Sequence, residues 1–226
     1  MSSETRPAFY ALRPGAWRDY VTLLHPPYTL WHVSYVAIGA ALVPHVKWGL
    51  LGWTVLAFFL AMGIGAHTLD ELNGRPLRTR IPSALLVALA AASIGAACAI
   101  GIVIASGSTW WLLAFVAFGA FVVVAYNLEL FGGAFHSDTW FALAWGVFPV
   151  LTAYFASAER LRAEAFAAAA FAFLASLAQR RLSTPVRLAR RTAGDPDSAR
   201  PAEIALKLLA AAMPLLAAAL LLSRSG

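Results

Sequence analysis

Long apolar runs separated by short polar links organise this chain. Seven such runs stand near Tyr28–Val46, Trp48–Ala66, Ser83–Ala105, Trp110–Tyr126, Thr139–Ala156, Ala163–Ala178 and Ala202–Leu222. A helix crossing a bilayer core needs ~20 apolar residues, so the pattern predicts an all-α integral membrane bundle of about seven transmembrane helices. The sixth run is short and alanine-rich, as in a tilted or partly interfacial segment. The links Pro44–Lys47, Ser106–Thr109 and Ser157–Glu164 are short, which makes the helices they join antiparallel neighbours. Ahead of the first run, residues 16–24 place Trp17, Tyr20, Val21 and Leu24 on one helical face, the pattern of an interfacial helix. His25-Pro26-Pro27 then ends it, because proline disfavours helix in the residue before it.

The division that follows is a cytoplasmic N-terminus over 1–27, a transmembrane domain over 28–222 and a tail over 223–226. Within the domain, residues 179–201 read as a cytoplasmic link: a surface helix Arg180–Arg191, then a loop at Gly194–Asp197. Composition supports the membrane reading, with 61% hydrophobic residues, 12% charged residues and mean hydropathy +0.72. With the N-terminus inside, only Lys47, Arg160, Arg162 and Arg224 of the 17 lysines and arginines fall outside. That asymmetry follows the positive-inside rule and places the chain, multi-pass, in the plasma membrane. The net charge of +6 is therefore a topology and headgroup signal, and no soluble basic domain exists to bind nucleic acid. Polar Met1–Gly15 lacks the apolar core of a signal peptide, so none is expected. The lone Cys98 excludes an intrachain disulfide and reads as helix packing.

The candidate chemistry sits where the second run meets water. His67, Asp70 and Glu71 stand at i, i+3 and i+4 and share one helical face, with Arg75, Arg78 and Arg80 following. Ionisable groups at membrane depth point to function. A second cluster, Asn127, Glu129, His136 and Asp138, closes the fourth run on the same side, so the two are expected to face one cavity. Carboxylates from Asp70, Glu71, Glu129 and Asp138 suit Mg²⁺, which keeps several waters and bridges to phosphates. Arg75, Arg78, Arg80, Asn127 and His136 are the expected diphosphate-binding groups. Asp70, Glu71 and Asp138 form the expected catalytic set, with His67 or His136 as a base or further ligand. The apolar bundle would take a hydrocarbon tail, and Trp31, Trp53, Phe58, Phe59, Phe118, Tyr126, Trp140 and Trp145 could screen a carbocation from water. Other readings stand beside these. Asp138 suits an N-cap, Gly132-Gly133 a helix C-terminus, and the His/carboxylate mixture an Fe or Zn enzyme. His25, His32 and His45 read as interfacial or structural.

This pattern resembles the UbiA superfamily of membrane prenyltransferases over roughly residues 20–155. Leu24-His25-Pro26 is similar to that family's opening motif, with histidine in place of arginine. Asp70, then Arg75-Pro76-Leu77 and Ile81-Pro82, is similar to the stretch after its first acidic motif. Tyr126-Asn127, Asp138 and Gly146 resemble its second motif region. The resemblance implies a UbiA-like helical fold and Mg²⁺ held by Asp70, Glu71 and Asp138 on the cytoplasmic side. It also implies prenyl transfer from a polyprenyl diphosphate to a hydrophobic, lipid-like acceptor. The family carries more aspartates, and a non-catalytic UbiA-like protein that binds a lipid or a partner is the alternative.

Overall fold

The computed structural model describes residues 6–191 and 196–224, and every regular element among them is a helix. A short α1 (Trp17–Leu23) precedes α2 (Pro26–Ala41), whose prolines occupy the first turn, where no intrahelical N–H is needed. His25 joins them in a left-handed conformation, φ 45°. There follow α3 (Trp48–Leu72), α4 (Ser83–Ser106), α5 (Leu112–Asn127) and α6 (Asp138–Ala158). The chain closes with α7 (Ala163–Arg191) and α8 (Pro196–Leu222). Among the described residues, four helices are long and apolar enough to cross a membrane: α3, α4, α6 and the stretch Ala199–Leu222 of α8. Helices α2 and α5 have 16 residues each, roughly 24 Å at ~1.5 Å per residue, and α7 carries arginines over its second half.

Chain direction alternates. The links after α2, α4 and α6 meet at one end, where Val43, Tyr154 and Ala165 pack together and Ala105, Leu112 and Ala156 form a second cluster. All the polar sequence clusters therefore gather at the other end. Helix α2 runs through the middle, with Trp31, Tyr35 and Val36 fully buried. Trp31 Nε1 donates to Tyr35 Oη at 2.6 Å and Ser176 Oγ donates to the same oxygen at 3.3 Å, so the buried polar atoms are partnered. Gly39 lies against the Val150 backbone and Gly146 against that of Ala172, the small-residue approach that lets membrane helices pack closely. The outward faces of α4 and α8 are apolar and exposed, as at Val103 and Leu215. Trp48, Trp110 and Trp111 ring the far end, and Trp17 stands 64% exposed at the polar end, as interfacial anchors do. Tyr20 beside it is also exposed, so α1 presents the aromatic face its sequence predicts.

Two helices widen into π-helical turns, Phe59–Ala66 in α3 and Leu143–Val147 in α6. Such bulges concentrate at functional sites; the first leads directly to His67 and the second contains Trp145. The region 179–201 differs from its expectation. Helix α7 continues from the sixth apolar run straight through Gln179 to Arg191 as one rod, with no separate surface helix. Ser183 and Thr184, just before Pro185, both donate to the Arg180 carbonyl at 3.0 Å. Gly194 and Asp195 of the expected loop lie outside the described residues, while Pro196 and Asp197 open α8. Residues 1–5 and 225–226 of the expected termini also lie outside them. At the start of α6 the cap is Ser137, whose side chain accepts from the Trp140 backbone N–H at 3.2 Å, and not Asp138. Ser137→Ala should cost about 1 kcal/mol, read as a lower unfolding midpoint in detergent titration.

Candidate functional site

The two polar clusters meet. Helix ends α3 and α5 are tied by Asn73 Nδ2, which donates to the Asn127 carbonyl at 3.2 Å. Between them opens a chamber of about 800 Å³. His67, Asp70, Asn73, Arg75 and Arg78 line it from the α3 side, and Tyr126, Asn127, Glu129 and His136 from the α5 side. Phe141 and Trp145 of α6 form an apolar wall, and Tyr28 and His32 come from α2. The N-terminal segment crosses the chamber at Pro7–Tyr10, held by edge-to-face contact of Phe9 with Tyr28.

The acidic residues separate into different roles. Asp70 lines the chamber, and its carboxylate has neither a hydrogen bond nor an ion pair among the described residues. Glu71, one residue on, does not line it. It is fully buried and accepts from Leu77 N at 2.9 Å and from Thr79 N and Thr79 Oγ1 at 2.8 Å each. The link after α3 offers donors with no helical partners, and the Glu71 carboxylate answers them. Asp138 also stands off the chamber wall. Its oxygens bind Arg180 Nε at 3.1 Å and Arg181 Nε at 3.3 Å, fixing α6 to α7. Glu129 does line the chamber, half-exposed, in a left-handed backbone conformation. Among the described residues no three His, Cys, Asp or Glu side chains cluster as metal ligands. The expected four-carboxylate set is thus divided, with Glu71 and Asp138 committed to structure.

The basic residues divide too. Arg75 lines the chamber but clamps its own link, donating from Nη1 to the Ile81 carbonyl at 2.6 Å and from Nη2 to Ser83 Oγ at 2.7 Å. Arg78 lines the chamber with an exposed side chain. Arg80 does not line it. Its backbone N–H donates to Asp19 Oδ2 at 2.9 Å, and Asp19 Oδ1 accepts from Gly15 N at 2.8 Å, so α1 is bound to the link. Asn127 is buried and spends its amide on the Val123 carbonyl at 2.7 Å. His136 stacks on Tyr126 with centroids 4.5 Å apart. Its Nε2 lies 3.5 Å from Arg180 Nη2, which can only donate. Nδ1 therefore carries the hydrogen and donates to the Tyr126 carbonyl at 3.0 Å.

What the sequence reading did not assign is the face of α7. Gln179, Ser183, Arg187 and Arg190 recur at about one-turn spacing and all line the chamber, joined by Arg180. The signal was present as that three-to-four spacing, obscured because the whole segment reads as a connector. Gln179 Oε1 is 2.9 Å from His32 Nε2, and Arg190 pairs with Glu203 of α8. Arg187 has no hydrogen-bond or ion-pair partner among the described residues and is half-buried. Burial, and then Arg180 beside it, lowers its pKa from the ordinary guanidinium value. On the opposite wall His25 stacks on His67, centroids 4.0 Å apart and 9° from parallel. Burial, with His67 adding to it, holds His25 well below its usual pKa. Among the described residues, five arginines and two carboxylates, Asp70 and Glu129, line the chamber, so it attracts anions.

No protein-family model matches the chain, and no curated protein or solved structure does. The arrangement of side chains alone carries the functional argument.

Proposed function

We propose that this protein is a seven-crossing, UbiA-like plasma-membrane transferase. It moves a prenyl group from a polyprenyl diphosphate to a hydrophobic acceptor, with the chamber facing the cytoplasm. The observation that carries this is the meeting of the α3 and α5 clusters in one cationic chamber at the end of an apolar bundle. An amphiphile with an anionic head and a hydrocarbon tail matches both halves. In the reaction the allylic C–O bond breaks and its electron pair leaves with the diphosphate. The acceptor forms the new bond to carbon and loses a proton.

Arg78 and the cationic lining around it draw the departing diphosphate, since guanidinium forks match phosphate oxygens. Phe141, Trp145 and Tyr126 form the wall that keeps water from the developing cation. His67, on the same helix face as Asp70, takes the acceptor's proton. Mg²⁺ characteristically uses one or two carboxylates together with substrate phosphates, and Asp70 fits that habit where a four-carboxylate cage does not. Held there, it would neutralise charge on the leaving group. Asp70→Asn should lower the rate of prenyl transfer by about 100-fold while leaving the thermal midpoint unchanged. Unchanged turnover in that variant, or no transfer by the wild type with any prenyl diphosphate and lipid acceptor, would overturn the catalytic reading. A second reading, a non-catalytic binder of anionic lipid, is favoured by the commitment of Glu71 and Asp138 to structural contacts.

A further inference from the structure

We propose that the phosphate-bearing head is held directly by side chains of α7 and α5, Arg187 and Arg180 with the Tyr126 hydroxyl, without a metal bridge to these groups. The inference rests on the reading of the chamber as a site for a phosphorylated amphiphile, and it names what recognises the head. Among the described residues, three polar groups around the chamber lack partners. Tyr126 is 5% exposed and its hydroxyl has no hydrogen-bond partner. His25 Nε2 is buried without one, although its Nδ1 is engaged with Tyr10 Oη at 2.8 Å. Arg187 brings a full guanidinium with no acceptor among the described residues.

A buried polar atom without a partner is destabilising, and a half-buried guanidinium without an acceptor adds to that, so the set calls for an occupant. A guanidinium can only donate and a tyrosine hydroxyl has one hydrogen to give, so that occupant is rich in acceptors and negatively charged. The groups share one electrostatic environment: Arg180 and Asp70 are among the charged neighbours that act on Arg187, and Tyr126 lines the same chamber. Phosphate and diphosphate oxygens meet this description, and nothing in the donor set requires a metal. Arg180 is positioned for the task by Asp138, which holds its Nε and leaves the Nη groups toward His136 and the chamber.

The test is titration of inorganic diphosphate into the full chain in lipid nanodiscs, with and without chelator. Saturable binding is expected to survive the chelator. Arg187→Gln should weaken it by about 10- to 100-fold, the loss of one to two charge-assisted hydrogen bonds. Arg187→Lys should fall between, keeping the charge but losing the fork, and Tyr126→Phe should weaken binding by about 5-fold. Arg80→Gln, off the chamber, should leave it unchanged. Binding abolished by the chelator overturns the proposal, as do equal affinities for wild type, Arg187→Gln and Tyr126→Phe. If Arg187→Gln does not fold, Tyr126→Phe and Arg187→Lys decide. The prenyl-transfer assay separates this from the catalytic reading. Diphosphate held through Arg187 without any transfer defeats only catalysis, and transfer with affinity indifferent to Arg187 defeats only this inference.

Discussion

Replacing Glu71 by alanine should cost the protein about 3–5 kcal/mol of stability, the penalty for breaking a buried hydrogen-bonded charge network. The side chain is fully buried, and its two oxygens accept from two backbone N–H groups and one hydroxyl of the link. Alanine leaves all three donors without an acceptor and opens a void beside them. Glu71→Gln is the sharper variant. It keeps the volume and one acceptor oxygen, but turns an NH₂ toward an N–H, so a loss of about 2 kcal/mol is expected. The site should suffer as well, because the same link carries Arg75 and Arg78 into the chamber in left-handed conformations, φ 53° and 56°. Folded link geometry holds those conformations against their own cost. Detergent-titrated unfolding reads the stability, and limited proteolysis between Gly74 and Arg80 reads the link. An unfolding midpoint equal to wild type in both variants would show that Glu71 does not hold this segment.

Gly39→Ala should be nearly as damaging. A Cβ built on Gly39 would lie 2.4 Å from the Val150 carbonyl oxygen and 3.1 Å from its carbon. These are backbone atoms of α6, which no rotamer change can move aside, so α2 and α6 must separate. Trp31, Tyr35 and Ile38 pack with Val150 in the core this would disturb. Overpacking a close helix crossing costs about 1–3 kcal/mol or more. Gly49→Ala and Gly52→Ala are the controls, since nothing lies within 4 Å of either new Cβ. Both should be neutral or slightly stabilising through reduced backbone entropy in the unfolded chain. A midpoint for Gly39→Ala indistinguishable from those controls would contradict the close approach of α2 and α6.

Helix positions were legible because the apolar runs are bounded by Pro, charged or other polar residues; Ser83 begins α4 directly after Pro82, as the pattern predicts. The convergence of His67 and Asp70 with Glu129 and His136 was legible because both clusters close runs pointing the same way. The division of labour among carboxylates was not. Adjacent Asp70 and Glu71 look equivalent in sequence, yet a helix turns successive residues by about 100°. One faces the chamber and the other faces the returning link, whose path depends on the positive φ of Arg75 and Arg78. Asp138 was unreadable for a different reason: its partner Arg180 is 42 positions away. The arginine face of α7 was missed because falling hydropathy after Ala178 looks like a helix end. Helical hydrogen bonding, unlike lipid solubility, is indifferent to that change.

The claim on which all of this turns is that one anionic lipid head occupies the space between α3, α5 and α7. Photo-cross-linking with a prenyl diphosphate analogue carrying a diazirine close to its phosphates reads that space directly. The expected result is adducts on chamber-lining residues of the α3 link, the end of α5 and the Gln179–Arg190 face, all suppressed by excess diphosphate. Adducts confined to the lipid-facing surfaces of α4 and α8, indifferent to diphosphate, would contradict it.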